Sequence, residues 1–425
     1  MQDYLSSNRL NLLKIIVWVI TLSLVLAISS LSADYLVFLP ATASQALTKT
    51  EKLDDKSHEL EKHQTSSYPL EDDFQAGQSC MVNGDFQKAR GHFTNYLKFN
   101  QVRVDSDLDL ANLIGLGLAC EALEDYRFAE GYFYLAARVC LQRWYMITSS
   151  QCCNFFSGQV YGFSRLEPFE GLMRLAVQEN DLSGGFYWSE IIHSLKMIER
   201  MTCPDQVAQS DVSKGIGGEK VEIRESFVAV FNQMKSALER NDRNVFLELT
   251  SRLDRLCKKY RNFGSELSIQ PIKASKIPLK PNETLLEYQV TEHKTFAWVV
   301  QNRRIIKNMV IPVSRQDLEM KINNYVGTAT NRLPPTKTAH YDPYLGQELY
   351  SLLLKELLLS LQEVKKLIII PDGVLWDLPF ETLVNQASGD EANLKARGNQ
   401  PLRNSLVIEY YQSATALQIS RQKKN

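Results

Sequence analysis

Cysteine and histidine are the side chains that could supply a nucleophile, a general base or a metal ligand, and this chain carries seven cysteines. Cys152 and Cys153 are adjacent and lack a second pair at zinc-like spacing, so they read as buried thiols. His58 and His63 are five apart, whereas two ligands on one helix face need a spacing of four, so they read as solvated. Gly215, Gly217 and Gly218 follow no strand and precede no Gly-Lys-Ser/Thr, which excludes a phosphate loop. An odd, irregularly spaced cysteine set implies no disulfide framework. No catalytic, metal or cofactor-binding residue is assigned, and no cofactor is expected.

The stretch that organises the chain is Leu367–Val384. Three isoleucines after Leu367 make a short apolar run that closes at Pro371-Asp372-Gly373, the pattern of a strand buried on both faces. Gly373 can take positive φ, so the chain can turn sharply off the strand end. Leu375, Leu378, Pro379, Phe380 and Leu383 then fold back over the sheet. The Leu-rich segment Leu349–Leu361 reads as a helix before the strand, so this is part of a parallel α/β sheet.

Leu-Ile-Ile-Ile-Pro-Asp-Gly followed by Leu-Pro-Phe-Glu resembles the CHAT domain, a caspase-like module often found with tetratricopeptide repeats. Thr284–Tyr288 through Thr295–Val300 looks like that domain's opening hairpin, and Leu406–Leu417 like the strand and helix start that follow. The resemblance covers roughly residues 283–420. It implies a dyad of a His in a His-Gly turn and a Cys in a Ser-Ala-Cys strand end, the His taking the thiol proton. In the family both lie downstream of the residues present here. His293 and His340 are not followed by Gly, and the last cysteine is Cys257. No catalytic residue carries over, and the expectation is the non-catalytic front part of a CHAT domain. Without the missing strands, Leu367–Ile370 or Leu406–Tyr411 is expected to be an edge.

At 425 residues the chain is expected to hold about two or three domains. Lys and Arg number 48 against 49 Asp and Glu, so no global field exists to hold a nucleic acid. Ile15–Ser32 carries no charge and is long enough to cross a membrane. Arg9 and Lys14 precede it and Asp34 follows, which orients the amino terminus to the cytoplasm and the bulk outside. A signal peptide cleaved near Ala41-Thr42-Ala43, giving a secreted protein, is the alternative. Residues 1–47 are thus the anchor or signal segment, and 48–75 an acidic polar linker.

Residues 76–262 read as an all-α, tetratricopeptide-like helical domain. That repeat wants a small residue where two helices cross, an aromatic after the turn, then Ala and Phe on the second helix. Gly77, Phe86, Ala89 and Phe93 fit, and Gly117, Tyr126, Ala129, Phe133 and Ala136 repeat the pattern 40 residues on. Further helix pairs are expected in Leu172–Ile192, where Met173 replaces the small residue, and in Ser226–Tyr260; Met201–Lys220 is expected to be a loop. Residues 263–283 read as a linker, and 284–425 as the incomplete CHAT domain. Ser314 and Asp317 form a capping box, and the tail from Arg421 is expected to fray.

The expected protein is therefore multidomain and membrane-anchored, an interaction scaffold inactive on its own, or the non-catalytic part of a split or frameshifted caspase-like cysteine peptidase. Its expected partners are a protein or peptide on the helical repeats, a chain completing the CHAT domain, and the membrane through residues 15–32. A reporter enzyme active only outside the cytoplasm, fused after residue 75, should be active. An inactive fusion, with a cytoplasmic reporter working at the same joint, would refute the orientation.

Overall fold

The computed structural model describes residues 70–103, 105–146, 155–202, 217–259, 271–330, 341–359, 361, 364–385, 400–402 and 406–422. The anchor at 15–32, the histidines at 58 and 63, and Cys152-Cys153 lie outside them. Among the described residues no helix is long and apolar enough to cross a membrane. The chain divides into two compact units, Met1–Gln101 and Val102–Asn425.

In the first unit, α1 (Leu70–Val82) and α2 (Phe86–Phe99) form a hairpin. Gly84 sits at φ +74°, its N–H bonds to the Met81 carbonyl, and the Asp85 N–H bonds to the Cys80 carbonyl. This is a Schellman closure, which needs a left-handed residue that glycine supplies without a Cβ clash. The Asp85 carboxylate then caps α2 by accepting from the Lys88 N–H. Phe93 is fully buried, and a Cβ on Gly77 would lie 2.6 Å from its ring.

The second unit begins with α3 (Asp107–Ala122) and α4 (Tyr126–Met146), then a two-residue ladder of β1 (Gln159–Val160) and β2 (Phe163–Ser164). Next come α5 (Glu167–Gln178), α6 (Leu182–Thr202), α7 (Gly217–Glu239) and α8 (Arg243–Lys259). The turn of the first unit recurs in all three hairpins. Glu124, Asn180 and Asn241 take φ of +59°, +58° and +54°. The aspartates that follow, Asp125, Asp181 and Asp242, each donate their N–H to the carbonyl five residues back, at 2.9, 2.8 and 2.8 Å. Asp181 and Asp242 cap their helices through the Gly184 and Val245 N–H groups.

Phe133 of α4 is wedged between two glycines: a Cβ on Gly117 of α3 would lie 2.5 Å from one ring edge, and one on Gly171 of α5 would lie 2.6 Å from the other. Gly171, not Met173, therefore supplies the close approach in the third hairpin, and Met173 is core. The expected loop Met201–Lys220 is corrected at both ends. Helix α6 runs through Thr202 and α7 starts at Gly217, because Glu219, Lys220 and Glu222 extend a good helix-forming sequence upstream.

The sheet follows. β3 (Glu283–Val290), β4 (Thr295–Gln301) and β5 (Arg304–Ile311) form an antiparallel meander. Helix α9 (Arg315–Thr330) starts at the Ser314 cap, whose hydroxyl accepts the Asp317 N–H. Helix α10 (Pro343–Tyr350) continues through a π turn (Ser351–Lys355) to Leu358. Then come β6 (Lys366–Ile370), the short β7 (Val384–Asn385) and β8 (Gln400–Pro401), β9 (Val407–Tyr410) and α11 (Ala414–Gln422). Strand order is β5-β4-β3-β6-β9, with β6 parallel to both neighbours. One sheet face packs Leu286, Tyr288, Val299, Leu367 and Ile369 against α9 and α10.

Strand β6 is therefore interior, and of the two candidate edges only β9 lies at the margin. Residues 271–281, expected as linker, are partly core: Ile272, Ile277 and Leu279 are buried. Arg421, expected to fray, is held in α11 by a two-pronged pair with Glu283 at 2.6 and 3.0 Å.

Gly117→Ala should lower stability by about 1–3 kcal/mol, because its Cβ must displace a ring that is itself trapped. Gly91→Ala on α2, whose Cβ meets nothing within 4 Å, should instead raise it by up to about 1 kcal/mol. Denaturant melts of the two variants check the contrast; equal effects would mean that Phe133 is free to move.

Candidate functional site

The second face of the sheet is unusual for its polarity. Strand β3 is buried along its whole length, yet it turns Glu287 and Gln289 into the interior beside Trp298 of β4. Helix α6 lies over this face and presents Ser189, Glu190, His193 and Lys196; Ser189 and Glu190 stand four and three residues before His193 and Lys196 three after it, which puts them on one side of a helix. These groups gather near the carboxyl ends of β3 and β6, the end at which open α/β sheets place their sites.

Asp372 is the centre of the cluster. It stands two residues past the end of β6, after Pro371, and Gly373, at φ +54°, turns the chain away after it. Its Oδ1 accepts from Lys196 Nζ at 2.7 Å; its Oδ2 accepts from the Val290 N–H and from Gln289 Nε2, each at 2.9 Å. Burial works to raise the Asp372 carboxyl, but Lys196, His193 and the hydrogen bonds outweigh it and hold it below the ordinary aspartate range. His193 is buried, which lowers its pKa, and its Nε2 donates to the Tyr288 carbonyl at 3.0 Å.

Further along α6, the Glu190 carboxylate caps α11. It accepts the Ala414 N–H at 2.7 Å, the Thr415 N–H at 3.1 Å and the Thr415 hydroxyl at 2.9 Å. A carboxylate at a helix start satisfies free N–H groups and suits the helix dipole. On α5, Glu170 is buried and its carboxyl is pushed up to about 7, by burial first and then by Glu167. Arg174 pairs with Glu121 and Glu167 at 2.7 Å each.

Of the residues singled out from sequence, Pro371 and Asp372 are buried and Gly373 is exposed. Leu378 and Phe380 are buried and Pro379 half-buried; the Phe380 N–H donates to the Tyr410 hydroxyl, which donates to Glu381. Ala89, Phe93, Ala129, Phe133 and Ala136 are buried, whereas Phe86 and Tyr126 are half-exposed helix starts. None of these helical residues joins the polar cluster. Glu190, His193, Lys196 and Glu287 were missed. Two signals existed: a Glu-x-x-His-x-x-Lys face on α6, and one acid inside the apolar run Leu285-Leu286-Glu287-Tyr288.

Every ionisable group of the cluster except Glu287 is committed to a structural partner, and no thiol is among them. Among the described residues no three His, Cys, Asp or Glu side chains are grouped to hold a metal ion. The cluster joins helices to sheet.

Residues 344–425 match the family model of the CHAT domain. The CHAT match thus takes in β6, the Pro371-Asp372-Gly373 turn, β9 and α11. It begins after the β3–β5 meander, where the resemblance read from sequence had placed the domain's opening hairpin. No curated protein and no solved structure matches the chain.

Asp372→Ala should cost about 3 kcal/mol, since it leaves the Val290 N–H and the Lys196 ammonium without their acceptor. Asp372→Asn, which keeps one acceptor oxygen, should cost less. Because the folded-state pKa of Asp372 is lowered, its stabilisation is present above the ordinary aspartate range and is lost as pH falls through the folded value. The gap between wild type and Asp372→Ala in denaturant midpoint should therefore close on acidification. A gap that stays constant would mean that the charge is not what holds the contact.

Proposed function

We propose that this chain is a membrane-anchored protein in which tetratricopeptide-like helical hairpins are joined to a CHAT domain, and that it acts as a protein–protein interaction scaffold, catalytically inactive on its own. The observation that carries this reading is the turn made four times over, each time with a left-handed residue followed by an aspartate whose N–H closes the first helix. Three of these hairpins, α3–α4, α5–α6 and α7–α8, belong to one unit, and hairpins of one pattern that stack leave a concave surface suited to an extended or helical peptide. The commitment of Asp372, His193, Lys196 and Glu190 to holding structure supports a non-catalytic role for this part of the CHAT match. Residues 15–32 are the proposed single-pass anchor, with the amino terminus cytoplasmic; secretion after cleavage is the alternative.

A second reading, part of a split caspase-like peptidase completed by another chain, is favoured by one feature. Strand β9 closes the order of the sheet among the described residues, and Val407 and Tyr410 on it are exposed. An outer strand with apolar side chains is a template for a further strand.

The test uses the full-length protein with all seven cysteines replaced by serine. A scaffold should keep its cross-linked partners in native membranes, with adducts on the helices between residues 70 and 259, and neither form should hydrolyse fluorogenic peptides. Peptide hydrolysis by the purified wild type that the replacements abolish would overturn the scaffold reading.

A further inference from the structure

Among the described residues of the polar cluster, which forms a seam between α6 and the sheet, Glu287 is the acid that no N–H group meets. Its side chain is fully buried, and neither carboxyl oxygen has a hydrogen-bond partner of ordinary geometry. The groups that face it are known from each side. Helix α6 offers the Ser189 hydroxyl and the Glu190 carboxylate, with His193 one turn further on. The chain after β6 brings Asp372, already bonded to Lys196. From β4 comes Trp298, its register partner, and from β6 comes Ile370. The start of α11 contributes the Ala414 and Thr415 amides, which point at Glu190.

Two ionised carboxylates side by side in this interior would carry an uncompensated buried charge, which proteins avoid by taking up a proton. Glu190 has room for one more donor. A carboxylate offers about four acceptor positions, and α11 fills three. We infer that Glu287 is held as a neutral carboxylic acid whose proton is shared with Glu190, and that this one proton fastens β3 and α6 together over the start of α11. The proton lies between one Glu287 oxygen and the free position on Glu190. No bond to carbon changes, and loss of the proton to water leaves two anions in contact.

Burial first, and then the Glu190 charge, lift the Glu287 carboxyl well above the ordinary range, which agrees with the geometry. A group with a raised folded pKa stabilises fully below its unfolded pKa, and the stabilisation is lost as pH rises through the folded value. The clamp is therefore closed in acid and opens on the alkaline side. The inference goes beyond the scaffold reading and does not depend on it.

The experiment is done on the full chain. The denaturant midpoint of the wild type should fall as pH is raised above the ordinary carboxyl range, and the exchange protection of the Ala414 and Thr415 amides should fall with it, beyond the change in intrinsic rate. Glu287→Gln, whose amide N–H replaces the shared proton, should lose that part of the slope. Should Glu287→Gln fail to fold, Glu287→Met, neutral and of similar length, is measured instead, with the same loss of slope expected. Protection of the two amides that stays flat with pH in the wild type would overturn the proposal without any variant. Parallel midpoint profiles for wild type and the neutral variant would overturn it too.

Discussion

Lys196 and Asp372 meet at 2.7 Å in a region where Asp372 is almost wholly screened from water. A carboxylate there is costly unless it is paired and its remaining lone pairs are used. Both conditions are met, because the second oxygen takes the Val290 N–H and the Gln289 amide. The pair thereby ties together three pieces distant in sequence: α6, the end of β3 and the turn after β6. The path of the chain around the sheet depends on it. The Gly373 turn leaves directly from Asp372, and the segment carrying Leu378 and Phe380 can fold onto the sheet only if that turn is fixed.

The helical part solves a different problem with one device. Each hairpin must end a helix, reverse, and begin another within three residues, and buried helix ends cannot leave N–H or carbonyl groups unmet. A left-handed residue followed by an aspartate answers this, since the aspartate N–H closes the first helix and, at Asp85, Asp181 and Asp242, its carboxylate opens the second. Gly84, Glu124, Asn180 and Asn241 show that the backbone geometry, and not the side chain, is what is held constant. Glutamate at φ +59° is the least comfortable of the four, and the double closure around it is what holds it there.

Much of this was legible beforehand. A continuous apolar run located β6, because burial of a strand on both faces leaves that mark directly, and the likeness of Thr284–Tyr288 and Thr295–Val300 to an opening hairpin located β3 and β4. Glycines and aromatics at matched spacing located the first two hairpins, and the Ser314 cap located α9. What escaped was whatever depends on tertiary partners. Nothing in Arg421 announces that Glu283 awaits it, and a basic residue near a chain end looks like any other solvated charge. Strand order escaped too. The run Leu367–Ile370 is equally apolar whether interior or marginal, and only its pairing with both β3 and β9 decides. The acidic residues of the seam were hidden for the opposite reason. Glu190 sits in an ordinary-looking helix, and its value as a cap for α11 comes from a residue more than two hundred positions away.

The ring of Phe133 touches glycines on two helices that are not consecutive in the chain. It therefore acts as a gauge block: the thickness of one aromatic ring sets the separation of α3 and α5. Gly117, Phe133 and Gly171 then form a single unit of inheritance. A larger residue at either glycine is tolerated only in a lineage that has already thinned the block, and a smaller residue at 133 opens a gap that two helices must share. Across a set of relatives, these three positions should change together or not at all, while the half-exposed Tyr126 only a few residues earlier drifts independently.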